Sequence, residues 1–192
     1  MKQLITLFAF SMAVISIVHA GDYATEIDAS RATTKEFMQT LKQELQAGMQ
    51  EGGPINAISV CNLSAPAIAN TYSVSRGWDV GRTSLKVRNP ANAPDAWERS
   101  VLESFEERKT AGEDPAKMEY HEVVRQDGVK QLRYMKAIPT AQLCLACHGE
   151  SVDSITRTRL EKLYPEDQAL GYKAGDIRGA FSISQPLDTA SK

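Results

Sequence analysis

Residues 118–138 read MEYHEVVRQDGVKQLRYMKAI and carry the clearest structural signal in the chain. Two segments that contain β-branched and aromatic residues, 118–125 and 129–138, flank Asp127-Gly128, a dipeptide that favours a two-residue turn. This pattern predicts a β-hairpin. The hairpin in turn makes an antiparallel sheet the centre of the fold.

The segments on both sides of the hairpin predict helices and two further strands. Apolar periodicity and capping patterns indicate helices over 24–50, from Pro54 onward, 96–109, 140–149 and 153–164, and strands over 78–88 and 175–185. Helices that come first, followed by strands with helices inserted between them, indicate an α+β fold with an antiparallel sheet.

Particular residues are expected to set the ends of these helices. Gly52-Gly53 should end the first helix, and Pro66 should kink or shorten the second. Asp95 and Glu98 have the spacing of a capping box. Thr140 is expected to cap the helix over 140–149, which Gly149 should close.

Directly after the hairpin, Cys144-Leu145-Ala146-Cys147-His148 matches C-x-x-C-H, the attachment signature of c-type haem. The spacing places two thiols on one helical turn, where each can add to a haem vinyl group, and the adjacent histidine can then bind the iron. The motif predicts one covalently attached haem c, held by Cys144 and Cys147, with His148 as an iron ligand. Two alternatives stay open, namely a Cys₃His zinc site that includes Cys61 and a structural or redox disulfide.

The N-terminal segment indicates export. Lys2 is the only charged residue before an apolar run over 4–18, and Val18-His19-Ala20 resembles a signal-peptide cleavage site. The run is shorter than the roughly 20 residues of an ordinary spanning helix. We therefore expect residues 1–20 to be a cleaved signal peptide and 21–192 to form one periplasmic domain that is not integral to the membrane. An uncleaved anchor is the alternative.

The charge balance excludes one class of partner. The chain has 22 Lys and Arg residues against 24 Asp and Glu residues, which gives a formal net charge of −2 at pH 7. Without a basic stripe or an aromatic-rich arginine cluster, nucleic-acid binding is not expected. The expected partner is a redox protein that the sequence does not identify.

The residues alone leave the second axial ligand of the iron open. Cys61 has no intramolecular disulfide partner once Cys144 and Cys147 are thioethers, and it shares an apolar helical face with Ile58. Cys61 is therefore a candidate ligand, although a cysteine in such a position also serves as a small buried hydrophobe. His121, in the predicted hairpin, is the competing candidate. A bound thiolate would stabilise ferric iron and lower the reduction potential.

Residues 82–98 read RTSLKVRNPANAPDAWE, and this block resembles the signature of a PAS-like family of c-type haem proteins. Ile58-Ser59-Val60-Cys61, the C-x-x-C-H motif and the segment 175–180 resemble the same family, in the expected order. Its members occur as small exported cytochromes and as extracytoplasmic portions of sensor kinases. The resemblance implies a PAS-like antiparallel sheet flanked by helices, a long N-terminal helix and a haem c pocket. It also implies cysteine ligation at the position of Cys61.

Basic residues of the same block are candidates for contacts with the haem propionates. Arg82, Arg88 and Lys86 are expected near the pocket wall, and a guanidinium matches the geometry of a carboxylate. Solvated surface charges are the alternative interpretation. Tyr172 is a further candidate to line the haem edge.

Together these observations predict an exported monohaem cytochrome that transfers electrons or senses redox state or a ligand. An enzyme is not expected, because no distal His/Arg pair of recognisable spacing is present. The alternatives are a peroxidase-like enzyme or a gas-binding protein with a vacant or switchable sixth site. A third class is an interaction module in which haem is structural.

Overall fold

The computed structural model describes residues 23–187, so the predicted signal peptide lies outside the described residues. The helices and strands are α1 (Ala24–Ser59), α2 (Ala65–Arg76), β1 (Asp79–Thr83), α3 (Ala96–Thr110), β2 (Glu119–Gln126), β3 (Val129–Pro139), α4 (Leu145–His148), α5 (Ser154–Leu163) and β4 (Ile177–Pro186). Within residues 23–187, no helix combines the length and apolar character needed to span a bilayer.

The four strands form one antiparallel sheet in the order β1-β4-β3-β2. The predicted hairpin is confirmed, because Gln126 pairs with Val129 across the turn. Asp127 and Gly128 both have positive φ, 50° and 80°, as a type I′ hairpin turn requires. The predicted α+β class is therefore also confirmed.

Successive residues of β3 and β4 point to opposite faces of the sheet, and both faces are covered by helices. On one face the sheet packs against α1 and α2 through Phe37, Val80, Tyr134, Phe181 and Ile183. On the other face it packs against α3 through Val101, Leu102, Phe105, Met118, Met135, Ala137, Ile177 and Ala180. The core is thus two apolar layers with the sheet between them.

The first helical segment breaks where the sequence predicts. Gly52 and Gly53 have non-helical dihedrals, and Gly53 has a φ of 63° that favours glycine. Helical structure resumes at Pro54 and widens into a π-helical turn over Val60–Ser64. Pro66 was predicted to kink or shorten the second helix, but it lies in the first turn of α2, where a missing N–H is tolerated, and α2 extends to Arg76.

Two local predictions are corrected by the structure. The strand predicted over 78–88 ends at Thr83, because the Ser84 hydroxyl turns the chain by bonding to the carbonyls of Lys86 and Arg178. Thr140 is not a side-chain cap. Its backbone instead pairs with the turn before β4, and its buried hydroxyl has no partner among residues 23–187. The capping box of α3 is confirmed.

Candidate functional site

The C-x-x-C-H motif lies in one short helical turn between β3 and α5. Cys144 ends a 3₁₀ turn, and Cys147 and His148 lie in the single turn of α4. Gly149 closes this turn as predicted, with its N–H 2.9 Å from the carbonyl oxygen of Leu145. A Cβ on Gly149 would lie only 2.6 Å from that oxygen, so the position leaves no room for a side chain.

The shortest hydrogen bond of the His148 imidazole, to the Ala169 carbonyl, favours one tautomer over the one that the Arg178 Nε contact with Nδ1 at 3.2 Å would need. Its Nδ1 lies 2.8 Å from the carbonyl oxygen of Ala169, and because a carbonyl only accepts, Nδ1 carries the proton. Nε2 then carries the lone pair that a metal-binding histidine needs, and in this structure Arg88 Nη1 and Arg178 Nε each lie 3.5 Å from it. Burial lowers the pKa of His148 well below its usual value, and the nearby charges of Arg178 and Arg88 lower this pKa further. The imidazole is therefore neutral.

A loop between α5 and β4 packs along the motif. The N–H of Tyr172 donates to the carbonyl of His148 at 2.9 Å, and the N–H of Gly171 donates to that of Gly149 at 3.1 Å. The Tyr172 ring meets the His148 ring edge to face, with 6.1 Å between centroids. The loop thus fixes both the backbone and one side of the candidate iron ligand.

Cys61 lies close to the same groups. Burial raises the pKa of its thiol, while the charges of Arg82, Arg88 and Arg178 lower it and the Cys144 thiol raises it. Burial likewise raises the pKa of Cys147 to about 11, and the negative charge of an ionised Cys61 acts in the same direction. Electrostatic interactions thus connect Cys61 with both Cys144 and Cys147.

A small apolar cluster connects the Cys61 segment to the motif. Ile58, one helical turn before Cys61, packs with Leu160 and Tyr164, and Cys147 packs against this cluster. No disulfide joins any two of the three cysteines. Within residues 23–187, no three or more His, Cys, Asp or Glu side chains are arranged to hold a metal ion.

Three arginines surround His148, and they differ in their partners. Arg88 forms a buried ion pair with Asp167 at 2.9 Å, whereas Arg178 donates to the Ser84 hydroxyl at 3.0 Å. Neither Arg82 nor Arg178 has a carboxylate of residues 23–187 within ion-pair distance. Burial lowers the pKa of both guanidiniums. The site therefore contains two cations without anionic partners.

The other sequence candidates have different surroundings. Lys86 lies over the Tyr172 ring, with Nζ 5.1 Å from its centroid, and bonds to the carbonyl of Leu170. His121 lies on β2 opposite Tyr134, and no hydrogen bond joins it to the site residues. That neighbour of His121, Tyr134, belongs to the apolar core on the α1 side of the sheet, and its hydroxyl donates to Glu119.

Three groups near the C-x-x-C-H motif were not identified from the sequence. Arg178 lies in the segment 175–180, whose resemblance to the family was the one signal that pointed to it. Asp167 and the Ala169 carbonyl lie in a loop without a local sequence pattern, so only the fold shows that they contact the motif.

Fold and site together define an α+β protein in which a C-x-x-C-H turn contacts two arginines, Arg88 and Arg178. The model of the Tll0287-like family (Tll0287) matches residues 19–186. The chain therefore belongs to the Tll0287-like family, and the family membership expected from residues 82–98 is confirmed.

A solved structure supports the fold. The crystal structure of the cyanobacterial haem protein Tll0287 superposes with a TM-score of 0.66 over 88% of this chain and 99% of that chain. The two sequences are 20% identical, so this similarity concerns the fold alone. No curated protein sequence matches this chain.

Proposed function

We propose that this chain is an exported monohaem c-type cytochrome that acts in electron transfer or in sensing of redox state or a ligand. In this proposal Cys144 and Cys147 carry the haem as thioethers, and His148 binds its iron. Membership of a family whose solved representative is a haem protein supports the choice of cofactor.

The geometry of His148 carries the proposal. A proximal histidine needs a free Nε2 lone pair and an acceptor for its Nδ1–H. The Ala169 carbonyl is that acceptor, at 2.8 Å. Two thiols precede the histidine on the same turn, which is the arrangement that C-x-x-C-H attachment requires.

The charge of the site also fits haem. Arg82 and Arg178 have no carboxylate partner among the described residues, and a haem brings two propionates that a guanidinium can bind. Arg88, in contrast, already has Asp167 as its anion. A bound haem would supply an iron that cycles between ferric and ferrous states.

We further propose Cys61 as the second axial ligand. Its thiol is buried near Arg82 and Arg178, whose positive charges favour the thiolate against the effect of burial. Cys61 lies in the π-helical turn Val60–Ser64, and such turns occur often at functional sites. A thiolate ligand would give a low reduction potential. Its release on reduction would offer a route from redox state to a movement of the helix.

Electronic and spin-resonance spectra of the ferric protein test the ligand assignment. We expect low-spin iron with the signature of His/thiolate ligation, which Cys61→Ser should abolish. His121→Gln is the matched control and should leave the spectra unchanged. High-spin iron that is insensitive to Cys61→Ser would contradict the assignment and favour a gas-binding protein or a peroxidase-like enzyme.

Export is tested separately. We expect the protein in the periplasmic fraction, with a mature N-terminus at Gly21. A cytoplasmic protein without covalent haem would contradict this part of the proposal, because haem is attached to C-x-x-C-H motifs outside the cytoplasm.

A further inference from the structure

The carbonyl that orients His148 belongs to a segment without regular secondary structure. Ala169 lies between the end of α5 at Leu163 and the start of β4 at Ile177. The partner of a ligating imidazole sets the orientation and the basicity of the ring. Whatever fixes Ala169 therefore also fixes the properties of the proposed iron ligand.

One buried guanidinium contacts both sides of this arrangement. Arg88 Nη2 donates to the carbonyl of Cys147 at 2.7 Å and to that of Ala169 at 3.2 Å. The first carbonyl immediately precedes His148, and the second accepts the His148 proton. Arg88 thus links the C-x-x-C-H motif to the loop whose Ala169 carbonyl orients His148.

Asp167 completes the link. Its Oδ2 lies 2.9 Å from Arg88 Nε, and its Oδ1 accepts from the N–H of Ala169 at 2.8 Å. The side chains of Arg88 and Asp167 are only 8% and 7% exposed, so water screens the ion pair weakly. Beside it, the N–H of Gln168 donates to the carbonyl of Val87 at 2.9 Å.

We propose that Arg88 and Asp167 form a positioning pair that holds His148 and raises the reduction potential of the proposed haem, and that Arg88 does not serve as a propionate ligand. This inference rests on the function proposed above. The charged N–H of Arg88 shares the Ala169 carbonyl with the imidazole Nδ1–H. The Ala169 carbonyl is therefore a weaker acceptor for the imidazole Nδ1–H. As a result, the imidazole donates less electron density to a metal than it would in the absence of Arg88.

Two substitutions should move the potential in opposite directions. Arg88→Gln removes a cation and the competing donor, both of which disfavour ferric iron, so the midpoint potential should fall. Asp167→Asn removes an anion but keeps an oxygen for the Ala169 N–H, so the potential should rise. At a fixed applied potential each variant should change the ratio of oxidised to reduced protein by about threefold or more. Arg88→Lys, which keeps the charge, should recover most of the wild-type value.

Arg133 offers a matched control. It has the same 8% exposure as Arg88 and is also paired with acids, at 2.7 Å from Asp95 and 3.6 Å from Glu98. It lies on β3 beside the cap of α3 and contacts none of the site residues. Arg133→Gln should lower the free energy of unfolding and leave the midpoint potential unchanged.

The measurement is a redox titration of the purified holoprotein and its variants, with spin-resonance spectra of the ferric forms. Equal potentials in wild type, Arg88→Gln and Asp167→Asn would overturn the positioning role, as would shifts of the same sign. If Arg88→Gln does not fold, Asp167→Asn and Arg88→Lys still decide the outcome. A wild-type protein without haem would instead overturn the proposed function, so the two failures are distinguishable.

Discussion

The two apolar faces of the sheet and the surroundings of His148 stabilise the protein in different ways. On the two faces of the sheet, Phe105 of α3 and Ile183 of β4 are fully buried among other apolar side chains, where burial itself is favourable. Around His148, three guanidiniums lie close together and one carboxylate, that of Asp167, pairs with one of them. The first region stabilises the fold without help, whereas the second contains charges that a dianionic cofactor would compensate.

This contrast separates the residues that determine the fold from those that determine the function. Substitutions in the sheet core should change the free energy of unfolding and leave the haem spectrum intact. Substitutions at the site should alter cofactor properties, with effects on stability that depend on whether haem is present. The predictions below test this separation.

The largest effect should come from removing the attachment thiols. Replacing both Cys144 and Cys147 with serine should abolish covalent haem, because no thioether can form. Haem staining of a denaturing gel reports the result directly. Cys61→Ser is the control and should keep its stain, since the third cysteine is proposed to bind iron only. Covalent haem in the double variant would contradict the assignment of the motif.

A core substitution should reduce stability strongly. Phe105 on α3 is fully buried in the apolar layer on the α3 side of the sheet, and Phe105→Ala should cost about 3–5 kcal/mol of unfolding free energy. Denaturant unfolding measures the loss, and the ferric absorption spectrum of the folded fraction should match that of wild type. A changed spectrum would show that the two regions are not separable.

The effect of replacing an arginine that has no carboxylate partner should depend on whether haem is bound. In the chain that lacks Cys144 and Cys147, Arg178→Gln should maintain or raise the free energy of unfolding, because it removes a buried cation without an anionic partner. In the holoprotein the same substitution should lower it by about 1.5–3 kcal/mol, the range for a hydrogen bond to a charged group. Denaturant titrations of both forms compare the values. Equal changes in the two forms would argue against a propionate contact.

The smallest effect concerns acid stability at the sheet edge. Hydrogen bonds from Arg31 hold the pKa of Glu119 below its usual value, and the Tyr134 hydroxyl acts in the same direction. A depressed pKa contributes stability above the unfolded value of about 4.3, and the contribution is lost as pH falls through the folded pKa. The pair is partly exposed, so we expect at most about 1 kcal/mol.

Glu119→Gln tests this contribution. The variant should be less stable than wild type at neutral pH and should show a flatter loss of stability below pH 4, measured by denaturant unfolding across pH. Parallel stability profiles against pH for the two proteins would show that ionised Glu119 does not contribute to stability.

Much of the fold was predictable because its signals are local. The Asp127-Gly128 turn, the Gly52-Gly53 break and the Asp95/Glu98 capping box each depend on neighbouring residues, and the structure contains all three. The end of β1 was not predictable, since it depends on a bond from Ser84 to Arg178, far away in sequence.

The site divides in the same way. The C-x-x-C-H motif is a local pattern, and the short helix that was expected around it is present. The partners of His148 come from a distant loop, and no sequence pattern marks the Ala169 carbonyl. Arg88 was expected near the pocket wall, and its ion pair with Asp167 is a contact that only the fold brings about.

Mass spectrometry of the mature, exported protein tests the central claim most directly. After denaturation and proteolysis, the peptide that contains residues 144–148 should carry the mass of one haem, joined to it through both cysteine sulfurs. The same peptide with two unmodified thiols, or with a Cys144–Cys147 disulfide, would contradict the account.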